Sequence, residues 1–137
     1  MKIEQLDHFT IKVSDLDAST RFYTDVVGLK NGARPDFVFG GAWLYCGDHP
    51  LVHLIEENSR QAMGLSKDVN GSARGMGAID HVAFRASGLA AMRQRLRSQQ
   101  IPFDEQTVPG QGLHQLFLDD PDGVRLELNF PASEDKT

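Results

Sequence analysis

Hydrophobic and polar positions alternate in two stretches of the chain that match each other. In residues 6–18, LDHFTIKVSDLDA, an extended backbone puts Phe9, Ile11 and Val13 on one side and His8, Thr10 and Lys12 on the other. In residues 79–91, IDHVAFRASGLAA, Val82 and Phe84 oppose His81, Ala83 and Arg85. Aligned at an offset of 73, the two share the pattern apolar-Asp-His-apolar-x-apolar-basic-x-Ser-x-Leu-x-Ala. Each strand runs into a Ser-led helix start, at Ser14 or Ser87.

A second match follows at an offset of 74. Residues 43–55, WLYCGDHPLVHLI, lie over residues 117–129, FLDDPDGVRLELN. Both read as strand, tight turn, strand, with turn formers in GDHP and DPDG. Each half therefore predicts a strand (5–12; 78–85), a helix (15–27; 88–99), another strand (34–39; 103–107) and a hairpin (41–46 with 50–56; 114–119 with 123–130). The expected organisation is one domain over 1–137, with repeat one at 4–57, a Gly/Ser-rich connection at 58–77 and repeat two at 78–131. The tail PASEDKT is expected to fray. A four-stranded half leaves an apolar face uncovered, so the halves are expected to close on each other, within one chain or across a pair.

Composition narrows the function classes. At 137 residues the chain is long enough to bury a core, and 40% hydrophobic with 24% charged residues is ordinary for a globular protein. A net charge of −5 with scattered basic residues argues against a nucleic-acid partner. No apolar run approaches the roughly 20 residues of a membrane span. The strand pattern begins at once in MKIEQLDHF, so no signal peptide is expected and the cytoplasm is the expected location. The single cysteine, Cys46, excludes an internal disulfide and a thiolate cluster within one chain, so any metal must be held by His, Asp or Glu.

The same alternation sorts the hairpins. Val52 and Leu54 oppose Leu51, His53 and Ile55; Leu126, Leu128 and Phe130 oppose Arg125, Glu127 and Asn129. Ala42, Leu44 and Cys46 oppose Trp43 and Tyr45; Leu116 and Leu118 oppose Gln115, Phe117 and Asp119. The aliphatic faces are the natural core and the polar or aromatic faces the cavity. His8 is then the counterpart of His81, and His53 of Glu127. Two imidazoles and a carboxylate suit Fe(II), Mn(II), Ni(II), Co(II) or Zn(II), with His53 as a fourth ligand or a catalytic acid/base. A lone strand histidine is ordinarily just a polar residue; a repeated pair with a carboxylate is not. Asp7 and Asp80 read as groups that accept an imidazole hydrogen bond. Trp43, Tyr45, Arg85, Gln115, Phe117 and Asn129 are candidates for substrate contact, the aromatic ones equally for packing. By parity His114 points away from Gln115, and His49 sits in a turn.

The stretches LDHFTIKVSDLDASTRFYTDVVGL, GAWLYCGD, IDHVAF and LFLDDPDGVRLELNF resemble the glyoxalase, bleomycin-resistance and extradiol-dioxygenase superfamily, also called vicinal oxygen chelate proteins. The resemblance covers nearly the whole chain outside 57–77 and the tail. It implies an α+β fold of two βαβββ repeats forming a cupped mixed sheet with helices on the outer face. It also implies one divalent transition metal held by His8, His81 and Glu127, with His53 in a fourth slot where glyoxalase-like and epimerase-like members commonly have Glu or Gln. The implied chemistry is chelation of a small substrate through two adjacent oxygens, as in an α-hydroxyketone, thiohemiacetal or catechol. A lyase or isomerase is the first expectation and an Fe(II) ring-cleaving dioxygenase the second. A metal-free ligand-binding resistance protein is a third. Family members often pair, so a homodimer is expected.

Overall fold

A computed structural model describes residues 1–57 and 75–136. The chain divides into two compact units, Met1–Ser72 and Ala73–Thr137, and each carries a four-stranded mixed sheet. The fold is α+β and built from two βαβββ modules. Residues 58–74 of the expected connection lie outside the described residues.

In the first unit β1 (Phe9–Val13) leads into α1 (Leu16–Arg21), which continues as a wider π-helical turn over Phe22–Val26. β2 (Lys30–Gly32), β3 (Gly41–Cys46) and β4 (His49–Glu56) follow, in the sheet order β1-β4-β3-β2. β1 runs parallel to β4, which brings Thr10 beside His53, and β3 is antiparallel to β4 with Trp43 opposite His53. Asp15 caps α1, its carboxylate accepting from the Ala18 amide at 3.0 Å. The cap is therefore one residue beyond the expected Ser14. Ile11, Val13, Ala42, Leu44, Val52 and Leu54 are buried together with Phe22, Tyr23 and Val26 of the helical segment. This is the aliphatic face that the alternation predicted, except that Cys46, at the hairpin end beside Gly47, is exposed.

The expected strand at 34–39 is replaced by the shorter β2, and residues 33–40 form no strand. Pro35 fixes its own φ and offers no N–H to a ladder. Arg34 donates to the Phe39 carbonyl at 3.0 Å while its guanidinium lies 5.1 Å from the Phe37 ring and 5.3 Å from Phe39. These local contacts fold the segment on itself.

In the second unit β5 (Val82–Arg85) precedes α2 (Leu89–Ser98), β6 (Asp104–Val108), β7 (Leu113–Asp119) and β8 (Arg125–Pro131), in the order β5-β8-β7-β6. Leu89, Met92 and Leu96 form the buried stripe of α2, and Leu116, Leu118, Leu126, Leu128 and Phe130 the buried sheet face. The DPDG turn is closed by Asp120, whose carboxylate accepts from the amides of Asp122 and Val124 at 2.8 Å each.

Residues 132–135 of the tail are tied down where fraying was expected. Ala132–Glu134 form a 3-10 turn, and one Glu134 oxygen accepts from the amides of Gly88 and Leu89, both at 2.8 Å. Gly88, at φ 88°, has no capping side chain of its own, so a carboxylate 46 positions away caps α2 where Ser87 was expected to lead it. Asp135 accepts from Arg93 at 3.0 Å.

Candidate functional site

In the first unit the site residues stand where β1 begins beside β4. His8 Nδ1–H donates to the Asp7 carboxylate at 2.6 Å, and the bond holds the Asp7 carboxyl below its ordinary range. The His8 ring stacks on His53 at 3.8 Å, and Trp43 lies on the His53 ring at 4.1 Å, so His53 is sandwiched on both faces. His53 Nε2–H donates to the Pro50 carbonyl at 3.0 Å. Burial first, and then the charge of His8, push the His53 pKa down, so the ring is held neutral with its lone pair on Nδ1. His49 is no free turn residue: it opens β4, and its Nε2–H donates to the Asp7 carbonyl, tying the strand entrance down. Tyr45 spends its hydroxyl on the Ala33 carbonyl, which leaves its ring as the surface it can offer.

The second unit repeats the arrangement. His81 Nδ1–H donates to Asp80 at 2.7 Å. Once Nδ1 carries that proton, Nε2 of the neutral ring is the lone-pair atom, and Glu127 Oε2 stands 2.9 Å from it. Two electron-pair donors so close need a proton or a cation. The bond to Asp80, and secondly the charge of Glu127, raise the His81 pKa. Glu127 is only 8% exposed, and its other oxygen, Oε1, accepts from Gln115 at 2.8 Å and from Asn129 at 2.7 Å. Phe117, opposite Glu127 on β7, meets the His81 ring edge-on at 6.4 Å. Arg125 lies over Phe117 at 5.4 Å and bonds Asp104 and Asp119 at 3.4 Å each. Phe103, Asp104, Phe117, Asp119 and Arg125 line an open cavity of about 290 Å³. Arg85 is exposed on β5, beside Asn129.

The structure thus brings His8 to His53 in one unit and His81 to Glu127 in the other, each first histidine standing just before the strand that runs parallel to its partner's. Among the described residues no three His, Cys, Asp or Glu side chains gather as a metal cluster. The donor chemistry itself fits a first-row divalent ion. Both Asp–His pairs direct Nδ1 away and leave Nε2 for ligation, the second-sphere arrangement found around metal-bound imidazoles. His81 Nε2 and Glu127 Oε2, 2.9 Å apart, bring two such donor atoms together.

Sequence reading missed Gln106, which donates to the Gln115 amide oxygen at 2.8 Å. Its signal was parity on β6, on a strand with little hydrophobic pattern. The sequence profile of the Glyoxalase/Bleomycin resistance protein/Dioxygenase superfamily matches residues 5–128. The chain belongs to this superfamily. It is 27% identical to a lactoylglutathione lyase of Schizosaccharomyces pombe over 93% of its own length, and it spans about half (48%) of that relative. A glutathione transferase FosA of Serratia marcescens is 30% identical, with 93% of this chain and 81% of the relative covered. Among solved structures, FosX from Listeria monocytogenes superposes with a TM-score of 0.69 at 16% identity, covering 99% of this chain and 100% of that one. No helix among the described residues is long and apolar enough to cross a membrane.

Proposed function

We propose that this superfamily member is a metal-dependent enzyme of glyoxalase type, a lyase or isomerase acting on a small molecule that presents two adjacent oxygens. One observation carries the reading: the same Asp–His pair occurs in both repeats with Nδ1 bound, and in the second His81 Nε2 faces a buried carboxylate at 2.9 Å. Relatives named lactoylglutathione lyase support the lyase assignment and point to a thiohemiacetal-type substrate. The ligands are His8, His81 and Glu127. An ion of Fe, Mn, Ni, Co or Zn held there supplies Lewis-acid stabilisation of an enolate-like oxygen.

The chain's own residues do the rest. His53, neutral and fixed through Nε2, accepts a substrate proton at Nδ1 and returns it to the neighbouring carbon or oxygen. Its burial between Trp43 and His8 keeps the ring from charging before substrate arrives. Trp43, Tyr45 and Phe117 give the substrate apolar walls, and Arg85 holds an anionic group of the substrate. A homodimer belongs to the same reading and is read by sedimentation.

Elemental analysis of the purified protein beside a His8→Ala, Glu127→Ala variant tests the proposal. About one transition metal per chain, lost in the variant, is the expected result. A parent that stays metal-free after incubation with each candidate ion would refute the enzyme and leave a ligand-binding protein. Oxygen uptake with catechols under Fe(II) would replace the lyase with a dioxygenase.

A further inference from the structure

We infer that Gln115 and Asn129 are positioning residues that restrict Glu127 to one ligating oxygen, Oε2, and that Gln106 sets their orientation. The inference rests on the proposal that Glu127 binds a metal. The three amides form one ordered chain on the polar face of the second sheet, with Gln115 and Asn129 half-buried. Gln106 Nε2 donates to Gln115 Oε1 at 2.8 Å, and Gln115 Nε2 donates both to Glu127 Oε1 at 2.8 Å and to Asn129 Oδ1 at 2.9 Å. Asn129 Nδ2 closes the set on Glu127 Oε1 at 2.7 Å.

Direction matters here. An ionised carboxylate only accepts, so both amides must turn their nitrogens toward it. Gln115 then points its oxygen away, and Gln106 opposite it on β6 supplies the donor that oxygen needs. Two N–H groups occupy both lone pairs of Oε1. Oε2 is left as the oxygen facing His81.

Comparison of the repeats supports a role tied to the carboxylate. At an offset of 74, Glu127 corresponds to His53, Phe117 to Trp43, Gln115 to Gly41 and Asn129 to Ile55. Strand register agrees: Gln115 pairs with Asn129 as Gly41 pairs with Ile55, and Phe117 with Glu127 as Trp43 with His53. At the positions matching Gln115 and Asn129, the slot filled by a neutral imidazole has Gly41 and Ile55 instead of amides. At Gly41 a side chain has no room either, since an added Cβ would stand 2.4 Å from the Leu54 carbonyl oxygen. The amides thus occur only in the half whose slot carries charge.

Co(II) titration of Gln115→Met and Asn129→Leu, followed by visible absorption, tests the inference. Thermal melts of the metal-free proteins confirm that each variant is folded, and either variant suffices alone. The parent is expected to bind one Co(II). The variants are expected to bind about 10- to 100-fold more weakly and to show a weaker d–d band, as a freed Oε1 adds a second carboxylate ligand. Unchanged affinity and spectrum in folded variants overturn the inference while the metal reading stands. A parent that binds no Co(II) overturns both.

Discussion

Replacing Glu134 with alanine removes a carboxylate bonded to the start of α2, and its cost can be worked from the contacts. One oxygen accepts from two successive amides, Gly88 and Leu89, at 2.8 Å each. Losing a capping side chain ordinarily costs about 0.5–2 kcal/mol, and a negative charge at a helix N-terminus adds roughly 0.3–1 kcal/mol. Gly88 is exposed, so water recovers part of its hydrogen bond, whereas Leu89 is fully buried. The balance is about 1–2 kcal/mol, a fall in Tm of roughly 3–8 °C for a chain of this size. Thermal unfolding by circular dichroism measures it, with Ser133→Ala as a control expected to melt like the parent. Glu134→Gln keeps an acceptor without the charge and should recover about half of the loss. Hydrogen exchange at Gly88 and Leu89 should accelerate in Glu134→Ala. A variant melting within about 1 °C of the parent, with unchanged exchange, would refute the view that the tail caps the helix.

Other outcomes follow from the same contacts. The bond from His114, and then Arg93, hold the Glu105 carboxyl below its ordinary 4.5, so folded chains bind fewer protons there than unfolded ones. Its contribution is present above pH 4.5 and lost as pH falls through the depressed folded value, so urea midpoints should drop in acid and Glu105→Gln should flatten the drop. Leu126→Ala, at a fully buried position of β8, should cost about 2–5 kcal/mol in chemical denaturation. Asp80→Ala loses the acceptor that fixes the His81 ring, and should weaken Co(II) binding about 10- to 100-fold in the same titration used for Gln115.

What the sequence disclosed was whatever period two controls. Val52 and Leu54 point to the core while His53 points away, and Leu126 and Leu128 do so around Glu127, because a pleated strand allows nothing else once one face is buried. Parity also turned His114 away from Gln115. It could not show that His114 would be buried with Arg93, Glu105 and Asp135 around it, since these come from a helix, another strand and the tail. The cap on α2 was illegible for the same reason: Ser87 is the local candidate, and the group that bonds the helix start lies 46 residues on. The strand expected at 34–39 did not form because cation–π and carbonyl contacts bind Arg34, Phe37 and Phe39 to one another.

The two repeats show which parts of the site can vary alone. Both keep the Asp–His pair with Nδ1 bound, because that contact is complete within two adjacent residues. The second position on the long parallel strand has diverged into His53 and Glu127, and its surroundings have diverged with it. A neutral imidazole needs one acceptor and tolerates ring faces, which Pro50, Trp43 and His8 provide. A carboxylate 8% exposed requires donors, which Gln115 and Asn129 provide. Exchanging Glu127 for histidine by itself would therefore leave two amide nitrogens aimed at a ring that cannot accept both. The charge state of the slot and the amides around it form one unit, and each constrains the other.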